Sequence, residues 1–203
     1  MGYIIIILAA YLLGSSNMAF YLSKLKNVDM RGNGSGNLGT SNAAILLGWP
    51  SAITVGIHDI GKALLAVILA KLLFPDLEFA GAAAGVASVL GHIFPFYLKF
   101  KGGKGFAPYL GMVLGLSWKF ALVILALVVL ITLITDYISL GTFTTVTVVP
   151  VWMGLSSQNW ILPLILLIAT AVIFYKHREN FTRLRNGTEI GLRSTAKGEH
   201  KVN

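Results

Sequence analysis

The chain has 203 residues, of which 56% are hydrophobic and only 12% are charged. A soluble domain carries roughly 25% charged residues, so this composition excludes an ordinary soluble protein and indicates an integral membrane protein. Membrane orientation signals then explain the net charge of +8 better than nucleic acid binding does, and the lack of cysteine excludes disulfides and thiolate metal sites.

Seven apolar segments follow one another along the chain. They cover residues 3–25, 43–74, 79–98, 106–116, 120–134, 139–155 and 160–175. Because a helix needs about 20 mostly apolar residues to cross a bilayer, we expect an all-α polytopic integral membrane protein with about seven transmembrane helices. There is no room for a sizeable soluble domain, so we expect one domain over residues 1–203. Gly81 and Gly85 lie four residues apart in the third segment, a spacing typical of closely packed helices.

Lysine and arginine are concentrated in alternate connecting segments. Residues 24–31, 99–104 and 176–201 hold thirteen of the 16 basic residues. The positive-inside rule therefore predicts that the N-terminus lies outside the cell and that the C-terminus, with a basic tail over residues 176–203, lies in the cytoplasm. In this prediction all three polar segments face the cytoplasm.

The first polar segment reads RGNGSGNLGTSN from Arg31 to Asn42. Its glycines allow several backbone N–H groups to point into one concavity, which is how such loops bind phosphate before a helix. We expect Asn42 to cap the helix that follows. A flexible polar loop is the alternative interpretation. No Gly-Lys-Ser/Thr sequence closes the segment, which disfavours a nucleotide-binding loop of the Walker type.

The second polar segment places Lys104 between two glycines at the start of an apolar segment. We expect its ammonium group and free backbone N–H groups to converge on one small volume that suits an anionic headgroup or an acyl phosphate. Lys99 and Lys101 are typical of lysines that reach toward lipid headgroups. His92, near the end of the preceding apolar segment, is either a ligand or a structural histidine.

The third polar segment begins with YKHRENFTRLRNGTE at Tyr175. Helical spacing places His177, Asn180 and Arg183 or Leu184 on one face. The alternative is a basic helix attracted to anionic lipid. Within the second apolar segment, Asp59 and Lys62 are three residues apart and are expected to pair, either as a functional group or as a structural ion pair.

Three motifs in this order resemble the PlsY family of bacterial membrane acyltransferases. They are GSGNLGTSN at residues 34–42, GHIFPFYLKFKGGKGFA at residues 91–107 and YKHRENFTRLRNGTE at residues 175–189. The resemblance covers essentially the whole chain. It implies transfer of a fatty acyl group from acyl phosphate to the sn-1 hydroxyl of glycerol 3-phosphate, giving lysophosphatidic acid for phospholipid synthesis. It also implies a bacterial inner-membrane enzyme whose active site faces the cytoplasm and which needs no metal ion or cofactor; we expect a monomer.

The resemblance also implies roles for individual residues. Ser35, Lys104 and His177 would be catalytic, with Ser35 in the anion-binding loop. The substrate-binding residues would be Gly34, Gly36, Asn37, Gly39, Asn42, His92, Gly102, Gly103, Ser139 and Asn180. Acyl phosphate is already activated, so our hypothesis is direct attack by the acceptor hydroxyl, without an acyl-Ser35 intermediate. The proton would go to a substrate phosphate or to His177.

One position departs from the family pattern. Ile45 stands where the family has an arginine, which would be expected to contact a phosphate through two hydrogen bonds. Two alternatives follow: a relative with a weakened or altered acceptor, or another arginine that reaches the site. Independently of this position, the competing class is a non-enzymatic membrane protein that binds lipid or transports a phosphorylated solute. The polar motifs gather on one membrane face and no internal repeat is evident, which favours an interfacial enzyme over a transporter.

Overall fold

The computed structural model describes residues 1–197, so the last six residues of the predicted basic tail, including Lys201, lie outside the described residues. This part of the chain is helical and contains no strand. The helices are α1 (Gly2–Ser15), α2 (Met18–Leu25), α3 (Thr40–Leu47), α4 (Trp49–Leu73), α5 (Ala80–Ile93), α6 (Phe106–Leu116), α7 (Trp118–Thr135), α8 (Ile138–Ser157), α9 (Ile161–Lys176), α10 (Arg178–Arg185) and α11 (Leu192–Lys197).

All seven apolar segments are helical, which confirms the all-α membrane fold. Five stretches of residues 1–197 are long and apolar enough to cross a membrane: Gly2–Leu25, Trp49–Leu73, Ala80–Leu98, Trp118–Thr135 and Ile138–Ser157. A sixth arises if α9 and α10, which meet at a bend of 51°, count as one span, and α6 is a shorter apolar helix. The number of spans and the side on which each end lies stay predictions.

Three of the apolar segments contain breaks that were not predicted, and the third of them is interrupted at Phe94 and Pro95. The first segment divides at Ser16 and Asn17, where the Asn17 side chain accepts a hydrogen bond from the backbone N–H of Phe20 at 2.8 Å and so caps α2. The second divides at Gly48, whose φ of 82° separates α3 from α4. A residue with a side chain rarely adopts this backbone conformation, so glycine permits the break.

Helix α5 is the centre of the bundle, because 72% of the apolar window containing it is buried. Small residues bring its neighbours close. A Cβ atom on Gly85 would overlap Met112 of α6, and one on Gly14 of α1 would overlap the backbone of Ser88. Gly81 likewise lies against the side chains of Lys71 and Val67 in α4. The prediction of close packing at this glycine pair is confirmed.

The end of the described chain folds back across the bundle. Asp136, which ends α7 with a φ of 72°, accepts two hydrogen bonds from this region. Its carbonyl oxygen accepts from the N–H of Leu192 at 2.9 Å, and its carboxylate accepts from the N–H of Arg193 at 2.8 Å. Residues 189–192 and Thr195 thereby cover one side of a cavity.

Candidate active site

A cavity of about 190 Å³ lies where the three polar segments meet. Eight of the residues predicted for a site line it: Ser35, Asn37, Gly39, His92, Lys104, Ser139, His177 and Asn180. These residues are far apart in the sequence, so the fold brings all three motifs together. The other five predicted residues do not line the cavity: Gly34, Gly36, Asn42, Gly102 and Gly103.

Asn42 holds the glycine-rich loop in place. It is fully buried inside α3, whose N-cap is Gly39, so the prediction that Asn42 caps the helix is wrong. Its Oδ1 accepts a hydrogen bond from the N–H of Ser35, and its Nδ2 donates to the carbonyl oxygens of Met30 and Asn33. All of its amide groups are therefore used within the protein, which gives it a structural role instead of the predicted contact with substrate.

Gly34 and Gly36 shape the same loop. Their φ values are 61° and 68°, a region that other residues rarely adopt. A Cβ atom on Gly34 would also overlap Oδ1 of Asn42. These two glycines turn the chain so that Ser35 reaches the cavity, but they do not reach it themselves.

Gly102 and Gly103 attach the lysine loop to the end of α5. The N–H of Gly102 donates to the carbonyl oxygen of Ile93 at 3.0 Å, and the N–H of Gly103 donates to that of His92 at 3.2 Å. The expectation that these N–H groups are free to bind phosphate is therefore wrong. A Cβ atom on Gly102 would overlap the His92 carbonyl oxygen, so both glycines serve close packing.

Lys104 begins a series of hydrogen bonds that we call the cationic chain, formed by Lys104, Asn180, Glu189 and Arg183. Nζ of Lys104 donates to Oδ1 of Asn180 at 2.5 Å, and Nδ2 of Asn180 donates to Glu189 at 2.6 Å. The other carboxylate oxygen of Glu189 accepts from Nε of Arg183 at 2.8 Å. All four residues line the cavity, so two positive charges and one negative charge face it.

The environment of Lys104 disfavours its positive charge. Burial, followed by the nearby guanidinium of Arg183, lowers the pKa of Lys104 to about 8. Bound phosphate would relieve this unfavourable situation because its negative charge stabilises the ammonium form. The lysine is thus suited to bind an anion.

Two hydroxyl groups in the cavity wall have no hydrogen-bond partner. Of the four buried side-chain polar atoms without a partner in residues 1–197, two belong to Thr40 and Ser139, which both line the cavity. A buried hydroxyl without a hydrogen bond costs about 1–3 kcal/mol. Each hydroxyl is therefore available to a polar ligand in the cavity.

His177 follows the last residue of α9 and has one ring nitrogen already engaged. Its Nδ1 lies 2.9 Å from the carbonyl oxygen of Ile173, and a carbonyl oxygen can only accept. The proton of a neutral ring is therefore on Nδ1, and Nε2 is left as an acceptor. The predicted grouping of His177, Asn180 and Arg183 on one face is confirmed, since all three line the cavity.

A second cluster is formed by Asp59, Lys62 and His92, and we call it the buried ion cluster. The three residues are at most 5% exposed. Nζ of Lys62 is 2.8 Å from Oδ1 of Asp59, which confirms the predicted pair, and 2.9 Å from Nδ1 of His92. Asp59 and His92 both line the cavity.

Several residues of the site were not predicted from the sequence. Glu189 ends the third motif and yet was given no role, although a carboxylate beside so many basic residues was a usable signal. Thr40 was noted only as one of several polar residues in the loop. Nothing in the sequence indicated that residues 190–195 return to the cavity, because the contacts with Asp136 join positions far apart in the chain.

Comparison with known proteins gives one consistent result. A family model described as glycerol-3-phosphate acyltransferase matches residues 4–187. Curated proteins named glycerol-3-phosphate acyltransferase are similar along nearly their whole length. One from Geotalea daltonii is 39% identical, covering 92% of this chain and 95% of that protein. One from Coxiella burnetii is 40% identical, covering 93% and 97%.

Two solved structures are also similar. Both are crystal structures of PlsY (YgiH), an integral membrane glycerol 3-phosphate acyltransferase, at 32% sequence identity. The glycerol 3-phosphate form has a TM-score of 0.90 and covers 97% of this chain and 98% of that one. The lysophosphatidic acid form has a TM-score of 0.85, with coverage of 94% and 95%.

Proposed function

Because the chain belongs to the glycerol-3-phosphate acyltransferase family, we propose that it transfers a fatty acyl group from acyl phosphate to glycerol 3-phosphate and releases lysophosphatidic acid. The family membership supports the acceptor and the product. The use of acyl phosphate as the acyl donor is a further part of the proposal, and the mixed cationic and apolar lining of the cavity supports it.

The observation that carries the proposal is a cavity whose wall contains both cationic and apolar side chains. The cationic chain suits phosphate. The apolar wall is formed by Ala44, Ile45, Trp49, Phe106, Ile138 and Leu192. Trp49 is 45% exposed, so this residue of the wall reaches from the cavity to the outer face of the protein. A molecule with a phosphate and a long alkyl chain matches both parts.

In the proposed reaction, the sn-1 oxygen of glycerol 3-phosphate attacks the acyl carbon, and the bond from that carbon to the phosphate oxygen breaks. Nε2 of His177 accepts a hydrogen bond from the attacking hydroxyl and orients it. The ammonium group of Lys104 stabilises the charge that develops on the departing phosphate. Inorganic phosphate leaves and takes up the hydroxyl proton. Ser35 binds phosphate in this scheme and forms no acyl ester.

Arg183 provides a positive charge for the phosphate of glycerol 3-phosphate, because position 45 has an isoleucine in this chain. Ile45 lines the cavity and contributes no charge. Arg183 also lines the cavity, and its terminal nitrogens make no hydrogen bond within residues 1–197, because only Nε is bonded to Glu189. Two free guanidinium nitrogens match two phosphate oxygens. We propose that Arg183 and Lys104 together hold the acceptor phosphate.

The location of the enzyme follows from the distribution of basic residues. We propose that it resides in a bacterial inner membrane with the cavity facing the cytoplasm, where glycerol 3-phosphate is dissolved. We also propose that it acts as a monomer.

The test is a direct assay of the purified protein. Palmitoyl phosphate and palmitoyl-CoA are offered in parallel with glycerol 3-phosphate, and phosphate release and lysophosphatidic acid are measured. We expect product from palmitoyl phosphate alone. Product from palmitoyl-CoA alone would refute the proposed donor. Folded protein that gives no product with either donor would move the chain to a binding or transport role.

A further inference from the structure

All the hydrogen-bonding capacity of Lys62 is used within the protein. Its Nζ lies 2.6 Å from the carbonyl oxygen of Ser16, 2.8 Å from Oδ1 of Asp59 and 2.9 Å from Nδ1 of His92. The carboxylate of Asp59 favours the ammonium form, which has three donors and no acceptor. Each donor is therefore matched to one of these three atoms, and Nδ1 of His92 is an acceptor.

This hydrogen bond determines where the His92 ring carries its proton. A neutral imidazole has one proton, so when Nδ1 accepts, the proton is on Nε2. His92 lines the cavity, and Nε2 has no hydrogen-bond partner within residues 1–197. A Cβ atom on Gly103 would overlap Nε2, so the ring packs against this glycine and a side chain here would displace it. This tautomer thus places an N–H donor without a partner in residues 1–197 on a residue of the cavity wall.

The opposite tautomer, with the proton on Nδ1, would be favoured by a hydrogen-bond acceptor that lies close to this nitrogen. Oδ1 of Asp59 lies 3.4 Å from Nδ1 of His92, slightly farther away than Nζ of Lys62. His58 also faces this carboxylate, with its Nδ1 3.3 Å from Oδ1. Without Lys62, the Asp59 carboxylate would draw the His92 proton to Nδ1. Nε2 would then present a lone pair to the cavity and repel a phosphate oxygen.

We propose that Lys62 is a positioning residue that holds His92 in the tautomer with the proton on Nε2, so that His92 donates a hydrogen bond to a phosphate oxygen of the substrate. The role assigned to His92 rests on the proposed acyl transfer, whereas the tautomer does not. His92 and His177 then have opposite tasks: His92 donates to the phosphate through Nε2, and His177 accepts through the same ring atom.

The first measurement is the tautomer itself, in substrate-free protein. Protein labelled with ¹⁵N-histidine is examined by NMR in lipid, and the His92 signals are identified from their loss in His92→Gln. We expect a pyrrole-type shift at Nε2 and a pyridine-type shift at Nδ1. The reverse pattern in the wild-type protein would overturn the proposal. This result is independent of activity, so it stands even if the protein transfers no acyl group.

The second measurement uses Lys62→Met with Lys71→Met as a matched control in the same helix. Lys71 donates to the carbonyl oxygen of Gly115 at 2.8 Å and does not line the cavity. We expect Lys62→Met to shift the His92 proton to Nδ1 and to lower kcat about 100-fold, the effect of losing one donor to developing charge. We expect the KM for glycerol 3-phosphate to stay within about threefold.

For Lys71→Met we expect the wild-type tautomer and a kcat within about twofold of wild type. A guanidinium also only donates, so Lys62→Arg should keep the wild-type tautomer and recover most of the lost kcat. If Lys62→Met shifts the proton and kcat stays at the wild-type level, the role of His92 is overturned. Should that variant fail to fold, the wild-type spectrum and Lys62→Arg still decide the proposal.

Discussion

The buried ion cluster and the cationic chain face the same cavity, and they differ in how much hydrogen-bonding capacity they have left. Lys62 has a protein acceptor for each of its three donors. Lys104 has a single side-chain partner, Asn180, within residues 1–197. Both lysines lie near a carboxylate and line or adjoin the cavity. Of the two lysines only Lys104 has donors to offer a ligand, so Lys62 orients a neighbouring residue and Lys104 binds.

The role of a charged residue near a site therefore depends on its free hydrogen-bond donors and acceptors as well as on its charge. A saturated ion cluster stabilises its own geometry, and removing one member leaves the others buried without compensation. A lysine that has unused hydrogen-bond donors contributes little to the stability of the fold and much to ligand binding. Substitutions can separate the contribution to stability from the contribution to binding.

Replacing Lys104 should remove activity and leave the fold intact. For Lys104→Met we expect kcat/KM to fall about 1000-fold, which is roughly 4 kcal/mol of transition-state stabilisation. The thermal unfolding midpoint should stay close to wild type. Lys101→Met, in the same loop and outside the cavity, is the matched control and should retain activity. An equal loss of stability and activity in Lys104→Met would remove the distinction between the two clusters.

Replacing Asp59 should have the opposite effect and lower the stability of the fold. Asp59→Ala leaves the Lys62 ammonium buried with no counter-charge, so we expect a loss of about 3–5 kcal/mol in the free energy of unfolding. The measurement is an unfolding titration from mild detergent into sodium dodecyl sulfate. Asp76→Ala, at an exposed turn, should change the same quantity by no more than about 0.5 kcal/mol. A comparable value for both variants would show that the buried pair does not stabilise the fold.

The pH dependence should report the titration of Lys104. Its pKa is lowered to about 8, so the free enzyme loses this positive charge as the pH rises through that value. We expect kcat/KM to fall about tenfold per pH unit above 8, where both substrate phosphates are already dianions. Lys104→Arg should remove this decline, since arginine stays protonated. A flat profile up to pH 9.5 in the wild-type enzyme would exclude Lys104 as the titrating group.

Unfolding does not account for that decline. The unfolded chain keeps the Lys104 proton up to the ordinary lysine pKa of 10.5, while the folded chain releases it near pH 8. The unfolded state therefore binds more protons between these two values, and this group makes the folded state more stable as the pH rises. Activity and the contribution of Lys104 to stability should change in opposite directions over this range, which a parallel melting experiment measures.

Placing a cation at position 45 should strengthen the binding of glycerol 3-phosphate. Ile45→Arg places a guanidinium in the cavity wall, and a charged hydrogen bond contributes about 1.5–3 kcal/mol. We expect the KM for glycerol 3-phosphate to fall about tenfold, with Ile45→Leu as the control of similar volume. An unchanged KM in Ile45→Arg would indicate that Arg183 already saturates the acceptor phosphate.

The smallest effect on KM should come from the unpaired hydroxyl of Thr40. Thr40→Val keeps the side-chain shape and removes a group that has no partner in the protein. We expect the free energy of unfolding to rise by about 1–3 kcal/mol, because a buried hydroxyl without a partner is removed. The KM for glycerol 3-phosphate should rise about fivefold, the effect of one neutral hydrogen bond. Thr144→Val is the control, because its hydroxyl donates to the carbonyl oxygen of Leu140 and does not line the cavity. Equal KM values in both variants would remove Thr40 from the site.

The sequence was sufficient for the helical segments, the membrane class and the grouping of the three motifs. Apolar length and glycine spacing are local properties, so the close approach at Gly85 and the pairing of Asp59 with Lys62 could be predicted. Helical spacing likewise placed His177 and Asn180 on one face.

Other features depend on partners that are distant in the sequence. Gly103 was expected to offer a free N–H, and its position in the chain does not reveal that the group bonds to the carbonyl oxygen of His92. Asn42 looked like a helix cap because it precedes an apolar run, whereas the helix begins at Thr40. The break at Gly48 was missed because one glycine within an apolar segment is usually tolerated in a helix.

The unequal lengths of α6 and α7 lead to an expectation about the depth of the cavity. α6 has 11 residues and rises roughly 16 Å, while α7 has 18 residues and rises roughly 27 Å. Ser117 alone joins them, so for helices of similar tilt we expect Lys104 to lie about 10 Å deeper in the membrane than Asp136 at the far end of α7. A water-soluble acceptor would then have to descend that distance, whereas a donor anchored by its alkyl chain would already be at this depth. One extra turn in α6 would raise the lysine by about 5 Å toward the water.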